Sequence, residues 1–600
     1  MAPSSEKRAE QLRKAAATFK KNHPDRVAAN AQAQKDRRKR RRLEDAPVSS
    51  SGQASSSEQA SSSGQASSSG SQGDTSSFGA VSNPSPTVQP QTRPYLIRAP
   101  TFPPVDLLSD VVGTQVDQSA ETITWPNGWE SVLPVGMKNG VNVLKADAER
   151  VQWLADPKNA VPADRSSVKY LAREAYQDNK SLIEDIRYLN AYNYTVVVPG
   201  GVASNRKKFE NFDDLDSEFG LGISENLTLQ MHDLKQRAQS TSDFHRLTTV
   251  SDFIKDANNP DVVGMILDVP TSRQSLPEPY HLLDESAAAF RQMKSDQSYK
   301  SVGSNTSFHI DTLFAPTWAL LHHAGTYTNV HQDAGGYSVA GQVFGDLNDP
   351  QPKMWAIMTL KNPVAASQTP EKVAERMASI CRFENQNNES NMHWDSTIWQ
   401  DCEIELMYLR PGDFFFQPPG VLHLVYTPRA SVASGGHFYN YDSLHLTEWT
   451  RRIQHLQSNA VTNQDPARVK EALNMMMLNF PNNQGKYFYR RALAALCRMV
   501  LAENEYIHQQ QAKLKVGNKL DQKAEAMAEI VARVCFEISP APGDERKLTV
   551  DALAKILEGD YREPGVAFRL EPETVQTIEK LALKYWEAFS AKKKKTTKKG

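Results

Sequence analysis

Apolar positions recur along this chain with two different periods, and the change of period divides it. Residues 1–95 carry no periodic apolar stripe: the first forty are basic and rich in Ala and Gln, and residues 51–69 repeat a hexamer close to Ser-Gly-Gln-Ala-Ser-Ser three times. Such a stretch buries too little apolar area to offset its ordering entropy, so a flexible linker is expected there. Between 96 and 260 the signals are mixed. The spacing predicts helices at 146–154 and 166–187, and a strand at 193–198 ending in Pro199-Gly200-Gly201. Short amphipathic helices at 209–215 and 248–256 are expected around a strand at 227–231.

From 260 to 445 the chain reads as short strands punctuated by Pro and Gly: 262–269, 317–322, 326–333, 354–360, 402–409, 413–417 and 422–427. Many short strands with turn signals suggest a sandwich or closed barrel of the jelly-roll type. After 450 the period becomes helical. Tyr489, Leu493, Leu496 and Val500 fall at i, i+4, i+7 and i+11, and 524–538 shows similar spacing, a stripe that reads as helix packing. The expected class is α+β. Five segments follow: 1–95 basic arm and linker, 96–260 mixed, 261–450 barrel, 451–590 helical, and 591–600 basic tail.

Charge changes the picture. The formal net charge of −1 conceals a +8 arm at residues 1–45, six further lysines at 592–599, and a body of about −15 at 46–591. Lys35-Asp36-Arg37-Arg38-Lys39-Arg40-Arg41-Arg42 is a cationic run of the kind read as a nuclear signal or a nucleic-acid patch. A nuclear location and contact of the basic ends with DNA are therefore expected. The charged start has no apolar core like that of a secretory signal, and no run of eighteen apolar residues exists to span a membrane. Four cysteines (Cys381, Cys402, Cys497, Cys535) form no CxxC pair, which speaks against a disulfide framework or a treble-clef zinc module and for a reduced, intracellular chain. Cys497 and Cys535 sit on helical stripes and read as core.

The candidate chemistry lies in His-x-Asp. Two histidines and one carboxylate with open positions suit a non-haem Fe(II) oxygenase. Residues i and i+2 of a strand point the same way, so one strand can supply two ligands. About one such tripeptide is expected by chance, yet four occur: His23-Pro24-Asp25, His309-Ile310-Asp311, His331-Gln332-Asp333 and His393-Trp394-Asp395. Context favours His331 and Asp333. They end a polar strand and precede Ala334-Gly335-Gly336. An apolar strand then opens with a lone Lys353, and a buried Lys needs an anionic partner. Farther on, Pro411-Gly412-Asp413-Phe414-Phe415-Phe416-Gln417-Pro418-Pro419-Gly420-Val421-Leu422-His423 offers turn, strand, turn and a third ligand. His322-His323 reads as a satisfied structural pair, and Cys381, His393 and Cys402 have no coherent zinc spacing.

The segments Tyr327–Gly336, Lys353–Ile357, Gly420–Pro428 and Gly435-Gly436-His437-Phe438 resemble the JmjC domain. The nearest branch is the histone lysine demethylases that include the F-box and PHD-finger types, and the similarity covers roughly 190–445, about two-fifths of the chain. The resemblance implies a double-stranded β-helix with Fe(II) held by His331, Asp333 and His423. It also implies that Thr328 and Lys353 hold the carboxylate of 2-oxoglutarate, with O2 as the other cosubstrate. This chain departs from the family in three places: a longer loop at 344–352, His437 where an Asn is usual, and an insertion at 367–399. The PHD, F-box and CxxC zinc modules of the close relatives are missing.

Demethylation of N-methyl-lysine on a histone or another basic protein tail is the activity so implied, and the acidic body suits a basic peptide. Two other readings share the fold: a hydroxylase of a protein or RNA group, and a silent chromatin scaffold whose 451–590 region binds partners.

Overall fold

The computed structural model describes residues 96–97 and, from 121 to 597, all but several short stretches, among them 203–208, 296–316, 345–352, 362–368, 391–401, 463–468 and 507–518. The basic arm, the Ser-rich repeat, His23, His309 and His393 lie outside the described residues, as does the 345–352 loop. Everything that follows belongs to the unit Pro84–Gly600.

Eight strands surround the candidate chemistry: β1 (Thr317–His322), β2 (Thr326–His331), β3 (Ser338–Phe344), β4 (Lys353–Leu360), β5 (Cys402–Leu409), β6 (Phe414–Gln417), β7 (Leu422–Thr427) and β8 (Ser431–Phe438). They divide between two sheets. One has the order β2-β7-β4-β5; the other carries β6-β3-β8-β1 at the middle of ten strands. Thr195–Val198, Val168–Leu171 and Leu96–Ile97 continue that large sheet beyond β6. Gly264–Pro270, Thr228–Asp233 and His245–Thr249 continue it beyond β1. Among the described strands, pairing is antiparallel apart from the parallel pair Val168–Leu171 with Thr195–Val198. The protein is thus a mixed α+β fold with a large, mostly antiparallel sheet.

Burial of both faces of β4 explains why it is apolar from Met354 to Met358. Trp355 and Ile357 meet Trp318, Val339, Val343 and Phe415 between the two sheets, while Met354, Ala356, Met358 and Leu360 pack under the helices Val143–Ala155 and Pro370–Ser390. A strand buried on both faces reads as a continuous apolar run.

Several elements differ from the sequence expectation. β3 and β8 are Ser- and Gly-rich and lack clean alternation, so no strand is expected there; their glycines serve close approach instead. Gly341 and Gly435 are register partners, and a Cβ on Gly435 would lie 2.2 Å from the Ala340 carbonyl oxygen. Residues 166–187 are not one helix but the strand Val168–Leu171 followed by Asn179–Ala191, whose N-cap Asp178 accepts from the Ser181 amide. Within 367–399, Pro370–Ser390 forms a helix. Strands before residue 260, Thr228–Asp233 and His245–Thr249 among them, are hydrogen-bonded into the same large sheet as β1. The helix Pro572–Thr597 runs across residue 591.

The helices Val469–Asn479, Arg490–Leu501, Lys519–Phe536, Glu545–Ile556 and Pro572–Thr597 share one core, which includes Leu493, Leu496, Cys497 and Val500 and has Cys535 packed against it. Among the described residues no helix is long and apolar enough to cross a membrane.

Candidate metal centre

His331 closes β2 opposite His423, near the start of β7. Thr328 and His331 are three residues apart and would face opposite sides of an unbroken strand. Between them β2 advances three residues while β7 advances two, from Val425 to His423. That β-bulge returns His331 to the face of Thr328. Thr328, His331, His423 and Val425 consequently line one cavity, while Val330 packs on the far side under the helices.

Asp333 arrives by another route. It lies past the end of β2, after buried Gln332, whose backbone N–H donates to the Val461 carbonyl at 2.8 Å. A tight turn, Ala334–Gly336, follows, with Gly335 and Gly336 both at positive φ. The helix Leu444–Gln457 grips this turn: Gln454 accepts from the Gly335 amide and Thr447 donates to the Gly336 carbonyl, each at 2.8 Å. Tyr439 donates to the Gly335 carbonyl, also at 2.8 Å. The close approach that the double Gly allows is made by the protein itself, for a Cβ on Gly336 would lie 2.7 Å from the Thr447 carbonyl oxygen. The strand argument for His331 and Asp333 as same-face neighbours is therefore replaced by a turn.

One ligand atom from each of His331, Asp333 and His423 lies within 4.8 Å of the others, the arrangement among the described residues that can hold a metal ion. The ring orientations suit this. His331 Nδ1 lies 2.7 Å from the Asn329 carbonyl oxygen and His423 Nδ1 lies 3.2 Å from that of Val421. A carbonyl only accepts, so a proton on each Nδ1 leaves each Nε2 with its lone pair, the usual outer arrangement of a metal-binding imidazole. His423 Nε2 is 3.9 Å from Asp333 Oδ2, and Trp355 stacks on the His423 ring at 4.9 Å between centroids. Burial works against ionisation of Asp333, but the His423, His437 and His331 rings beside it hold its carboxyl well below the usual range. Burial, with His331 next, pushes His423 down to about 4. Both residues are thus in the ligand form at neutral pH.

Of the two expected acid contacts, Thr328 lines the cavity and its hydroxyl lies 3.5 Å from Met265 Sδ. Lys353 is 0 % exposed and donates to Thr427 Oγ1 at 2.8 Å rather than lining the cavity. Among the described residues no carboxylate pairs with it, and burial pushes its pKa well down. His322 departs from the expected satisfied pair: it lines the cavity and its buried Nδ1 has no hydrogen-bond partner. Burial, then the charge of Lys353, holds its pKa well below the usual value. His323 fits the expectation, with its ring nitrogens 3.1 and 2.9 Å from the Val262 and Phe253 carbonyl oxygens. His437 lies at the cavity with Nε2 3.6 Å from Asp333 Oδ1.

Sequence reasoning missed Gln417, Trp318 and Tyr337. Gln417, one of the most buried polar residues, touches both Asp333 and His423. Its signal was available: a polar residue at the inward parity of an otherwise all-Phe strand. Cys381 and Cys402 share the apolar core beneath the helices. No protein-family model matches this chain, and no curated protein matches it.

Proposed function

We propose that the protein is an Fe(II)- and 2-oxoglutarate-dependent dioxygenase that demethylates N-methyl-lysine on histone tails in the nucleus. The observation that carries this reading is the His331–Asp333–His423 cluster opening into the same cavity as Thr328 and His322, with Lys353 buried nearby without a carboxylate. The two strand orders, β6-β3-β8-β1 and β2-β7-β4-β5, support a double-stranded β-helix as its scaffold.

The donor set fits the ion. Two imidazole nitrogens and one carboxylate oxygen are the facial arrangement that leaves positions open for non-haem iron. Fe(II) would supply the redox chemistry that activates O2. The chain's own residues do the rest. His331, Asp333 and His423 hold the ion, and their positions are fixed by the bulge, the Gly-Gly turn and the Asn329 and Val421 carbonyls. Lys353, held by Thr427, is the cation that would bind the distal carboxylate of 2-oxoglutarate, with Thr328 on the cavity wall and the orphaned Nδ1 of His322 as a further polar atom there. Leu267, Leu320, Val339 and Val425 exclude water. Trp318 and Tyr337 offer aromatic faces of the kind that attract a methylated ammonium, which favours methyl-lysine as substrate.

The reaction balances without other reactants. One atom of O2 enters succinate as CO2 leaves, and the other is inserted into a methyl C–H bond. The carbinolamine then divides into formaldehyde and an amine with one methyl group fewer. The body of about −15 suits a basic peptide and the cationic ends suit DNA phosphate.

A mass-spectrometric screen of methylated histone peptides with Fe(II) and 2-oxoglutarate tests the reading, with the His331→Ala/Asp333→Ala double variant as control. Formaldehyde and a demethylated peptide, both absent in the control, are expected. Succinate with a peptide that gains one oxygen would make the protein a hydroxylase instead. No turnover of 2-oxoglutarate at all would point to a silent scaffold.

A further inference from the structure

Asp333 is approached from both of its oxygens, and two tryptophans decide how. An indole Nε1–H can only donate. Trp355 Nε1 donates to Gln417 Oε1 at 3.1 Å. With its oxygen so committed, the Gln417 amide turns its NH2 inward, where Nε2 lies 3.4 Å from Asp333 Oδ2 and 3.1 Å from His423 Nδ1. Since that Nδ1 gives its own proton to the Val421 carbonyl, it cannot accept, and Asp333 is the acceptor left to the amide. On the other side Trp318 Nε1 donates to His437 Nδ1 at 3.2 Å. A nitrogen that accepts carries no proton, so the neutral His437 ring bears its proton on Nε2, the atom facing Asp333 Oδ1 at 3.6 Å.

We propose that Gln417 and His437 are positioning residues, set by Trp355 and Trp318, that clasp the Asp333 carboxylate so that it offers a metal one oxygen, and that His437 is not a fourth ligand. This rests on the reading of His331, Asp333 and His423 as metal ligands, but not on the choice of iron, 2-oxoglutarate or substrate. Three features make the clasp a built one. Gln417 is 1 % exposed, so its amide is held by protein partners, while His437 is half-buried at the cavity wall. Oδ2, the oxygen on the His423 side, is the one Gln417 touches, while Oδ1 is turned away to His437. Trp355 also stacks on His423, so one side chain orients both the amide that touches Asp333 and the ring that joins it in the site.

His437 lines the same cavity as the ligands without joining the cluster of His331, Asp333 and His423, and ligation and clasping would demand opposite protonation of its Nε2. A ligand needs a lone pair there; a clasp needs the proton. The Trp318 indole selects the proton, because a ring that receives a hydrogen bond at Nδ1 cannot move its hydrogen to that atom.

The test is binding of Co(II), a spectroscopically visible divalent probe, to the full chain, with titration affinity and d–d absorption read together. Gln417→Leu is expected to weaken binding roughly 10–100-fold, the range for loss of an outer-shell partner. Trp355→Phe, which keeps the stack but removes the N–H, should weaken it in the wild-type background and have no further effect in Gln417→Leu. His437→Gln keeps an amide donor toward Oδ1 and should retain the wild-type spectrum, whereas His437→Leu should weaken binding without changing the coordination number. Circular dichroism of each variant separates a lost clasp from a lost fold. A changed d–d spectrum in His437→Gln, showing one nitrogen donor fewer, would overturn the proposal in favour of a fourth ligand. Full affinity in folded Gln417→Leu would overturn the clasp. If the wild-type chain binds no Co(II), the metal reading itself fails, an outcome distinguishable from either of these.

Discussion

Lys353 is the residue whose surroundings say most about what the cavity takes. A fully buried ammonium with one hydroxyl for company is costly, and its low pKa is the response of a base stripped of water. A bound carboxylate would raise that pKa again, so binding should take up as much as one proton in the window between the free and bound values. Affinity for 2-oxoglutarate should accordingly fall as pH rises through that window. Calorimetry in buffers of different ionisation enthalpy measures the uptake, and identical heats in all of them would contradict it. Lys353→Met should fold, since Met fills the space without a charge to bury, and should bind 2-oxoglutarate at least ~100-fold more weakly, the order expected for losing a buried charge-assisted contact. Its Co(II) affinity should remain within a few-fold of wild type, which ties the loss to the acid contact and not to the metal.

Elements, not single residues, bring the ligands together, and the bulge in β2 is the clearest case. Deleting Asn329 would remove the extra residue and leave Thr328 and His331 two apart, where plain alternation keeps both on the cavity face. Metal binding should then persist, weakened roughly 10–100-fold by loss of the Asn329 carbonyl that holds His331 Nδ1, while far-ultraviolet circular dichroism stays close to wild type; complete loss of binding in the folded variant would show that alternation alone does not aim His331. This also marks where the sequence stops being informative. The triad His331, Asp333 and His423 was legible from motif spacing and context, and so were six of the eight strands, because apolar runs between Pro and Gly carry the signal. β3 and β8 were not, because Gly341 and Gly435 are there to let strands and rings approach, which no periodicity records. The bulge and the turn carrying Asp333 were hidden for a related reason: they depend on the register of β7 and on Thr447 and Gln454, more than a hundred residues away in the chain.

At the scale of the whole molecule, the helical region is part of the site's support. The helix Leu444–Gln457 holds the Gly335-Gly336 turn on one side. On the other its Glu448 is bound by Arg498, and Tyr506 donates to the same carboxylate at 2.6 Å. Arg498 also reaches Glu505 at 2.6 Å. Arg498→Ala would leave Glu448 buried without its cation, a change that costs about 3–5 kcal/mol in comparable pairs. A large drop in melting temperature is expected, with weaker metal binding at temperatures where the variant is still folded, because the turn that presents Asp333 loses its backing. Unchanged stability would mean that the network adds nothing to the docking of this helix.

The central claim is that this cavity assembles a metal with a 2-oxo acid, and anaerobic titration of the full chain with Fe(II) and 2-oxoglutarate reads that event optically. The visible charge-transfer band of an Fe(II)-chelated 2-oxo acid should appear at one equivalent of each, be absent in Asp333→Ala, and need far more 2-oxoglutarate in Lys353→Met. A folded wild-type chain that binds Fe(II) but develops no band at saturating 2-oxoglutarate, or a band that survives in Asp333→Ala, would contradict it.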